Sequence, residues 1–490
     1  MARELVLGLD LGTTSIKAVL FEPTGKLIAE AEEMVKTNYP HPGWAEQDPR
    51  QVEQAAMNAV NRVVQQANAE EEEIIAAGFS AAMHSLICLN EQVEPISPMI
   101  IWADGRSSKQ AEHLMNTNGL DIFQRTGTPI HPMTPFLKLC WMKDTGYKAY
   151  KEARYFMSMK EYLIYRWFGK RWIDYSMAAA TGLFDVKKLQ WDEEALQIAG
   201  VKEEQLSEIV PPTTILSNMD KETATKLGLS TAMPFVIGAA DGQLANLGSG
   251  AIAPLEANIS VGTSGAIRQF VQGAPVNEKM ETFTYPFTAE TSIIGGPTNN
   301  GGIVLQWLKE TVEFKGTHEE FLAGAENVSI GSEGIIFLPY INGERAPLWN
   351  EQAKGNFFGL RVGHRKEHLT RAVLEGIAFN IYQISESLER VAGAPKKISV
   401  NGGLSKSNLW VQIIADVFGK NIHVSNTHHN AAWGAAWTAL VGTGRAKAFE
   451  DIRQSLPPEK VVKPNMEHHQ LYLEIYTKYK ELATSLSKHF

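Results

Sequence analysis

The stretch LVLGLDLGTTSIKAVL, Leu5 to Leu20, constrains this chain more than any other. An apolar run carries Asp10 to a tight Gly12-Thr13-Thr14-Ser15 turn, and a second β-prone run, Ile16 to Phe21, follows. Two such runs joined by a Gly/Thr turn predict a β-hairpin. A turn without bulky side chains lets backbone N–H groups approach an anion closely. Thr13, Thr14 and Ser15 add hydroxyl donors, and Lys17 adds a charge. Asp10, at the strand end, suits a hydrated magnesium ion, which takes oxygen ligands and keeps several waters. Asn258 to Ile267, NISVGTSGAI, repeats the plan with Gly262 and Thr263 in its turn. Two like turns roughly 250 residues apart predict two homologous half-folds offering loops to the same phosphates.

A chain of 490 residues is long for one core, so two large domains are expected. The net charge of −9 argues against a general nucleic-acid binder, whose footprint is basic. It leaves nucleotide binding open, because a local Lys, Mg²⁺ and backbone dipoles outweigh a diffuse field at short range. Cys88 and Cys140 sit in apolar surroundings and read as small core residues, which fits a reducing cytoplasm. The N-terminus lacks a signal-peptide pattern, and no apolar window is long enough for a membrane span. The P-loop GxxxxGK[ST], HExxH and GxSxG are absent, and Ser264 fails the nucleophile-elbow spacing.

Along the chain, Leu27 to Val35 reads as a third strand, and Asp48-Pro49 caps a helix to about Asn68. Strands Ile74 to Ser80 and Met99 to Ile101 deliver Met83-His84 and Trp102-Ala103-Asp104-Gly105-Arg106. Parallel-sheet enzymes bind ligands at such strand ends. Trp191 to Leu229 reads as helical with weak periodicity, broken at Pro211-Pro212 and Gly228. The apolar strand from Phe235 ends in Gly238-Ala239-Ala240 and places Asp241 before Gly242 and a helix. An aspartate there either caps the helix or does chemistry. Gly295 to Gly302 is glycine-rich and leads into a helix at Ile303, Ile398 to Gly403 is a strand ending in glycines, and Ala431 to Val441 is a buried helix. His428-His429 has no further ligand at zinc-site spacing.

DLGTTSIK with the later VGTSG resembles the actin-like ATPase superfamily, which includes sugar kinases, actin and heat-shock chaperones. The resemblance implies an α/β fold of two ribonuclease H-like domains. Each has a mixed five-stranded sheet flanked by helices, and nucleotide binds in the cleft between them. Within that superfamily, Met83-His84, the Trp102 to Arg106 segment, MTPFLKLCWMKD from Met133, and GNFFGL with HLTRAVLE from Gly355 resemble the FGGY carbohydrate kinases. Thr145 is a small departure from the first signature.

That resemblance implies a sugar-binding domain at 1–248 with the first hairpin and the catalytic Asp. It implies a nucleotide-binding domain at 249–490 with the second hairpin and a C-terminal helix. Met83, His84, Trp102 and Asp104 become substrate contacts, while Arg106 either contacts substrate or only orients Asp104. Asp241 becomes the general base, sharing Mg²⁺ with Asp10. Gly12, Thr13, Thr14, Ser15, Lys17, Gly262 and Thr263 become phosphate contacts of ATP, and Gly302, Gln306, Gly403 and Ser407 lie near the nucleotide. SAAMHSLI, IIWADGRSS and TGTPIHPMTP most resemble the members acting on gluconate, implying ATP plus D-gluconate giving 6-phospho-D-gluconate. His84, Arg106 and Lys160 are then unranked candidates for the carboxylate. Xylulose kinase or another FGGY sugar or polyol kinase is the runner-up, and a chaperone-like ATPase is the reading from another class. A homodimer stays open beside a monomer.

Overall fold

The computed structural model describes residues 3–425 and 429–490. Its first sheet contains β1 (Leu5–Leu11), β2 (Ser15–Phe21), β3 (Leu27–Met34), β4 (Ile74–Ala81), β5 (Ile215–Leu216) and β6 (Phe235–Ala240). The order is β5-β6-β4-β1-β2-β3. The predicted hairpin is the antiparallel pair β1–β2, and β3 continues the meander. β4 joins β1 in parallel, and β6 joins β4 in parallel. Helix α1 (Pro49–Ala67) starts where the Asp48 side chain accepts the Arg50 N–H. It lays Val52, Ala56, Val60 and Val63 on β2 and β3, the i, i+4 spacing of one apolar stripe.

The second sheet repeats this plan. It contains β7 (Glu256–Val261), β8 (Gly265–Gln272), β9 (Phe283–Pro286), β10 (Thr291–Thr298), β11 (Lys397–Gly402), β12 (Ile422–Val424) and β13 (Lys460–Val462). The order is β9-β10-β8-β7-β11-β12-β13. β7 pairs antiparallel with β8 and parallel with β11, as β1 does with β2 and β4. Each expected five-stranded sheet is therefore present and is extended at its edges, by β5 on the first and by β9 and β13 on the second.

The helices that matter for the site are α2 (Asp241–Gly248), α3 (Gly302–Thr311), α4 (Lys366–Ala392), α5 (Asn408–Phe418), α6 (Asn430–Gly442) and α7 (Met466–Ser487). Although α6 is late in the chain, it packs on β1, β4 and α2. Two glycines admit it. A Cβ on Gly8 would sit 2.0 Å from the Ala432 carbonyl oxygen, and one on Gly78 would sit 2.1 Å from that of Ala435. Only a residue without a side chain allows that approach. In the second half, α4 crosses the sheet, and α7 closes over it with Tyr472, Tyr476 and Tyr479 around Phe379.

The helical reading of 191–229 is corrected. α-Helix forms at Glu193–Ala199 and Lys221–Leu227 and a single 3₁₀ turn at Glu203–Gln205, with short strands Glu208–Val210 and Ile215–Leu216 between the α-helices. Both helices end on a left-handed glycine, Gly200 and Gly228, and Pro211-Pro212 removes two backbone donors. Both cysteines are buried and free. Among the described residues, no helix is long and apolar enough to cross a membrane.

Candidate active site

β1, β4 and β6 lie side by side and point the same way, so their ends open on one edge of the first sheet. β1 delivers Asp10 and the first turn, β4 delivers Ala82-Met83-His84, and β6 delivers Asp241. The second turn, at Gly262–Ser264, faces them from the second sheet. Together they line a cavity of about 470 Å³ that includes Gly12, Thr13, Thr14, Ser15, Met83, His84, Trp102, Asp241, Gly262 and Thr263. A larger cavity, about 1300 Å³, runs between Gly25–Leu27 of the first half and Gly402, Ser405 and Lys406 of the second. Asp10, Lys17 and Ser260 line both, so the two compartments meet there.

Two carboxylates face this junction. Asp10 stands opposite Ser80 in the β1–β4 register and accepts its hydroxyl at 2.7 Å. Burial raises its pKa against that hydrogen bond and the charge of Lys17. Asp241 opens α2 and accepts the Gly242 N–H at 2.7 Å. The cap position belongs to Ala240, which frees the Asp241 carboxylate from that duty. Burial pushes the Asp241 carboxyl up to about 6, the charge of Asp10 adds to the rise, and Arg268 opposes it. A buried polar chain fixes the strand end that carries Asp241. Lys160 pairs with Asp174 at 2.6 Å, Ser176 Oγ donates to Asp174, and the Ala240 N–H donates to Ser176 Oγ at 2.8 Å.

His84 sits at φ 69°, an uncommon conformation for a side-chain-bearing residue. Its Nδ1 lies 2.7 Å from the Ala180 carbonyl oxygen. A carbonyl only accepts, so Nδ1 carries the proton and Nε2 is an acceptor. Burial and then the Lys138 charge lower its pKa to about 3, so the ring is neutral. Trp102 Nε1 donates to Thr13 Oγ1 at 3.2 Å, tying the Trp102 segment to the first turn. Ser15 Oγ donates to Glu32, and Lys17 pairs with Glu32 at 3.6 Å.

Several residues expected at the site do not line either cavity. Asp104 is buried, where it accepts the Ala45 N–H at 2.6 Å and pairs with Arg106 at 2.7 Å. Arg106 also pairs with Glu46 at 2.7 Å and lies over the Trp44 ring. Its role is to hold that loop. Lys160 is consumed by Asp174. Gly302 gives its N–H to the Gly262 carbonyl at 2.7 Å and so buttresses the second turn. Gln306 bonds Glu310, one turn along α3. Ser407 caps α5 by accepting the Trp410 N–H at 3.2 Å, and Gly403 opens the short helical turn before it. His428 lies outside the described residues, whereas His429 does line the larger cavity, where it pairs with Glu30.

Two residues not singled out from the sequence do line the smaller cavity, Arg268 and Arg345. Each leaves Nε buried without an acceptor. The Arg268 guanidinium lies on the backbone of Gly242, where a Cβ would meet Nε at 2.8 Å. Arg345 donates to the Thr298 carbonyl at 3.2 Å and stands 5.3 Å over the Trp102 ring. For Arg268 a signal existed, since a lone cation interrupts the apolar run of β8.

Comparison with known proteins agrees with this architecture. Residues 5–248 match the N-terminal domain of the FGGY family of carbohydrate kinases, and residues 257–443 match its C-terminal domain. The gluconokinase of Bacillus subtilis is 39% identical over 461 residues, covering 91% of this chain and 89% of the relative. The crystal structure of gluconate kinase from Lactobacillus acidophilus superposes with a TM-score of 0.95 at 34% identity, covering 99% of this chain and 98% of that one. A ligand-bound xylulose kinase structure from Lactobacillus acidophilus gives the same figures. The chain belongs to the FGGY family of carbohydrate kinases.

Proposed function

We propose that this kinase transfers the γ-phosphoryl group of ATP to the 6-hydroxyl of D-gluconate, with Asp241 as general base. The observation that carries the reading is the junction of the two cavities at Asp10, Lys17 and Ser260, with Asp241 on the smaller side. The larger compartment is roomy enough for a nucleotide, and the two Gly-Thr turns suit its phosphates. The smaller one suits a sugar-sized acceptor, bounded by Met83, the neutral His84 and Trp102.

Phosphoryl transfer asks mainly for alignment, charge neutralisation and a proton acceptor. Asp241 takes the proton of the 6-hydroxyl as its oxygen bonds to phosphorus, and the bond to the ADP oxygen breaks. A base whose pKa lies about one unit below neutrality is ionised at pH 7 and still basic enough for this step. Lys17, and Arg268 beside Asp241, counter charge on the moving phosphoryl group. Asp10 and Asp241 also fit a magnesium ion: the Asp10 charge makes ionised Asp241 costlier in the same cavity, and such ions use few protein oxygens beside phosphates and water. When bound, Mg²⁺ would neutralise phosphate charge.

Gluconate is favoured by the relatives that carry gluconokinase as their name. It is also favoured by Arg345, a cavity cation that forms no ion pair among the described residues. D-Xylulose is the second reading, because a xylulose kinase structure is equally similar. A coupled ADP-release assay over a panel of sugars, polyols and sugar acids decides between them. The expected result is highest kcat/KM with D-gluconate and negligible ADP release without an acceptor. Preference for D-xylulose, or acceptor-independent ATP hydrolysis, would contradict the proposal.

A further inference from the structure

A carboxylate taken into a cavity needs a charged donor there. The candidates expected from the sequence are committed elsewhere or uncharged. Arg106 pairs with Asp104 and Glu46, Lys160 pairs with Asp174, and His84 is neutral. Lys138 is also buried, but it gives its ammonium to the carbonyls of His84 and Ile101 at 2.6 and 2.9 Å. Arg268 and Arg345 remain, and neither forms an ion pair among the described residues.

Asp241 feels both guanidinium charges, Arg268 more strongly than Arg345, but the two side chains rest on different neighbours. Arg268 lies on Gly242, next to the base, and of the two arginine charges it is the one that acts more strongly on Asp241. Arg345 stands over Trp102, and its charge reaches His84, on the sugar side. With five N–H donors and one side-chain hydrogen bond, most of its donor capacity is unspent.

The loop that carries Arg345 is held firmly. Glu344 is buried and accepts from Thr298 Oγ1 at 2.7 Å, Asn380 Nδ2 at 2.9 Å and Asn300 Nδ2 at 3.1 Å. The Ala346 N–H donates to the Pro297 carbonyl at 2.9 Å. This anchorage sets the guanidinium before substrate arrives, which lowers the ordering cost of binding.

We propose that Arg345 binds the carboxylate of the sugar acid and thereby selects it over neutral polyols and ketoses. The assignment rests on the gluconate reading above. A guanidinium with one edge engaged by Thr298 offers its remaining N–H groups to a planar carboxylate.

The test compares D-gluconate with its neutral isostere D-gluconamide on wild type, Arg345→Gln and Arg345→Lys. Wild type should prefer gluconate in kcat/KM by about a hundredfold. Arg345→Gln should bring that ratio to within about threefold of unity, with KM for ATP unchanged. If Arg345→Gln does not fold, Arg345→Lys carries the test. An ammonium does not reproduce the fork, so a reduced ratio at unchanged KM for ATP supports the assignment. Gluconate turnover with an unchanged ratio in the variants would overturn the role of Arg345 alone. Failure of wild type to use gluconate would overturn both the substrate and this assignment.

Discussion

Asp241 is held at odds with its surroundings. Its pKa is raised to about 6 because burial and the Asp10 charge disfavour the ionised form more than Arg268 favours it. A folded-state pKa above the unfolded value means that ionising this group costs stability. The cost is absent below about pH 4, grows through the interval to about 6, and is full above it. Asp241→Asn should therefore raise the stability of the ligand-free enzyme at pH 8, by up to about 3 kcal/mol. The gain should shrink as pH falls from 6 toward 4, and thermal melts across that range check it.

The residues legible in the sequence were those whose role is written locally. Asp10 lies near the end of an apolar strand just before the Gly12 turn, and Asp241 follows an apolar strand and precedes Gly242, so their strand-end position was visible. Partner choice was not. Arg106 and Lys160 look as available as Arg345 in the sequence, yet Glu46 and Asp174 occupy them, and only tertiary packing decides that.

At the scale of elements, the hairpins β1–β2 and β7–β8 were legible because two short β-prone runs joined by a Gly-Thr turn have few other solutions. The placement of α6 was not. Its sequence, NAAWGAAWTALVG, announces a buried helix but not which sheet buries it. Gly8 and Gly78 decide that, through backbone approaches that no other residue permits. The stretch 191–229 misled for the opposite reason: its weak periodicity belongs to short elements whose ends are set by Gly200, Gly228 and the proline pair. Gly78→Val should push α6 away from β4 and cost about 1–3 kcal/mol, read as a lowered midpoint in urea unfolding. It should also lower kcat, because β1 carries Asp10 to the junction and β4 leads directly to Met83 and His84 in the smaller cavity. A variant with the wild-type midpoint would show that the close approach is not required.

At the scale of the molecule, duplication supplies two turns, and the sheets bring them together over one junction. The larger and smaller cavities share Asp10, Lys17 and Ser260, but Asp241 lines only the smaller one. Contacts such as Ser108 Oγ with Glu351 at 2.7 Å tie the two halves together outside these cavities. This division makes the central claim separable into chemistry and nucleotide binding. The most direct test is to measure turnover and ATP affinity together in Asp241→Asn. The account predicts a fall in kcat on the order of 10³-fold, with the Kd for ATP changed by no more than about threefold. Full activity in this variant, or loss of ATP binding in step with turnover, would contradict it.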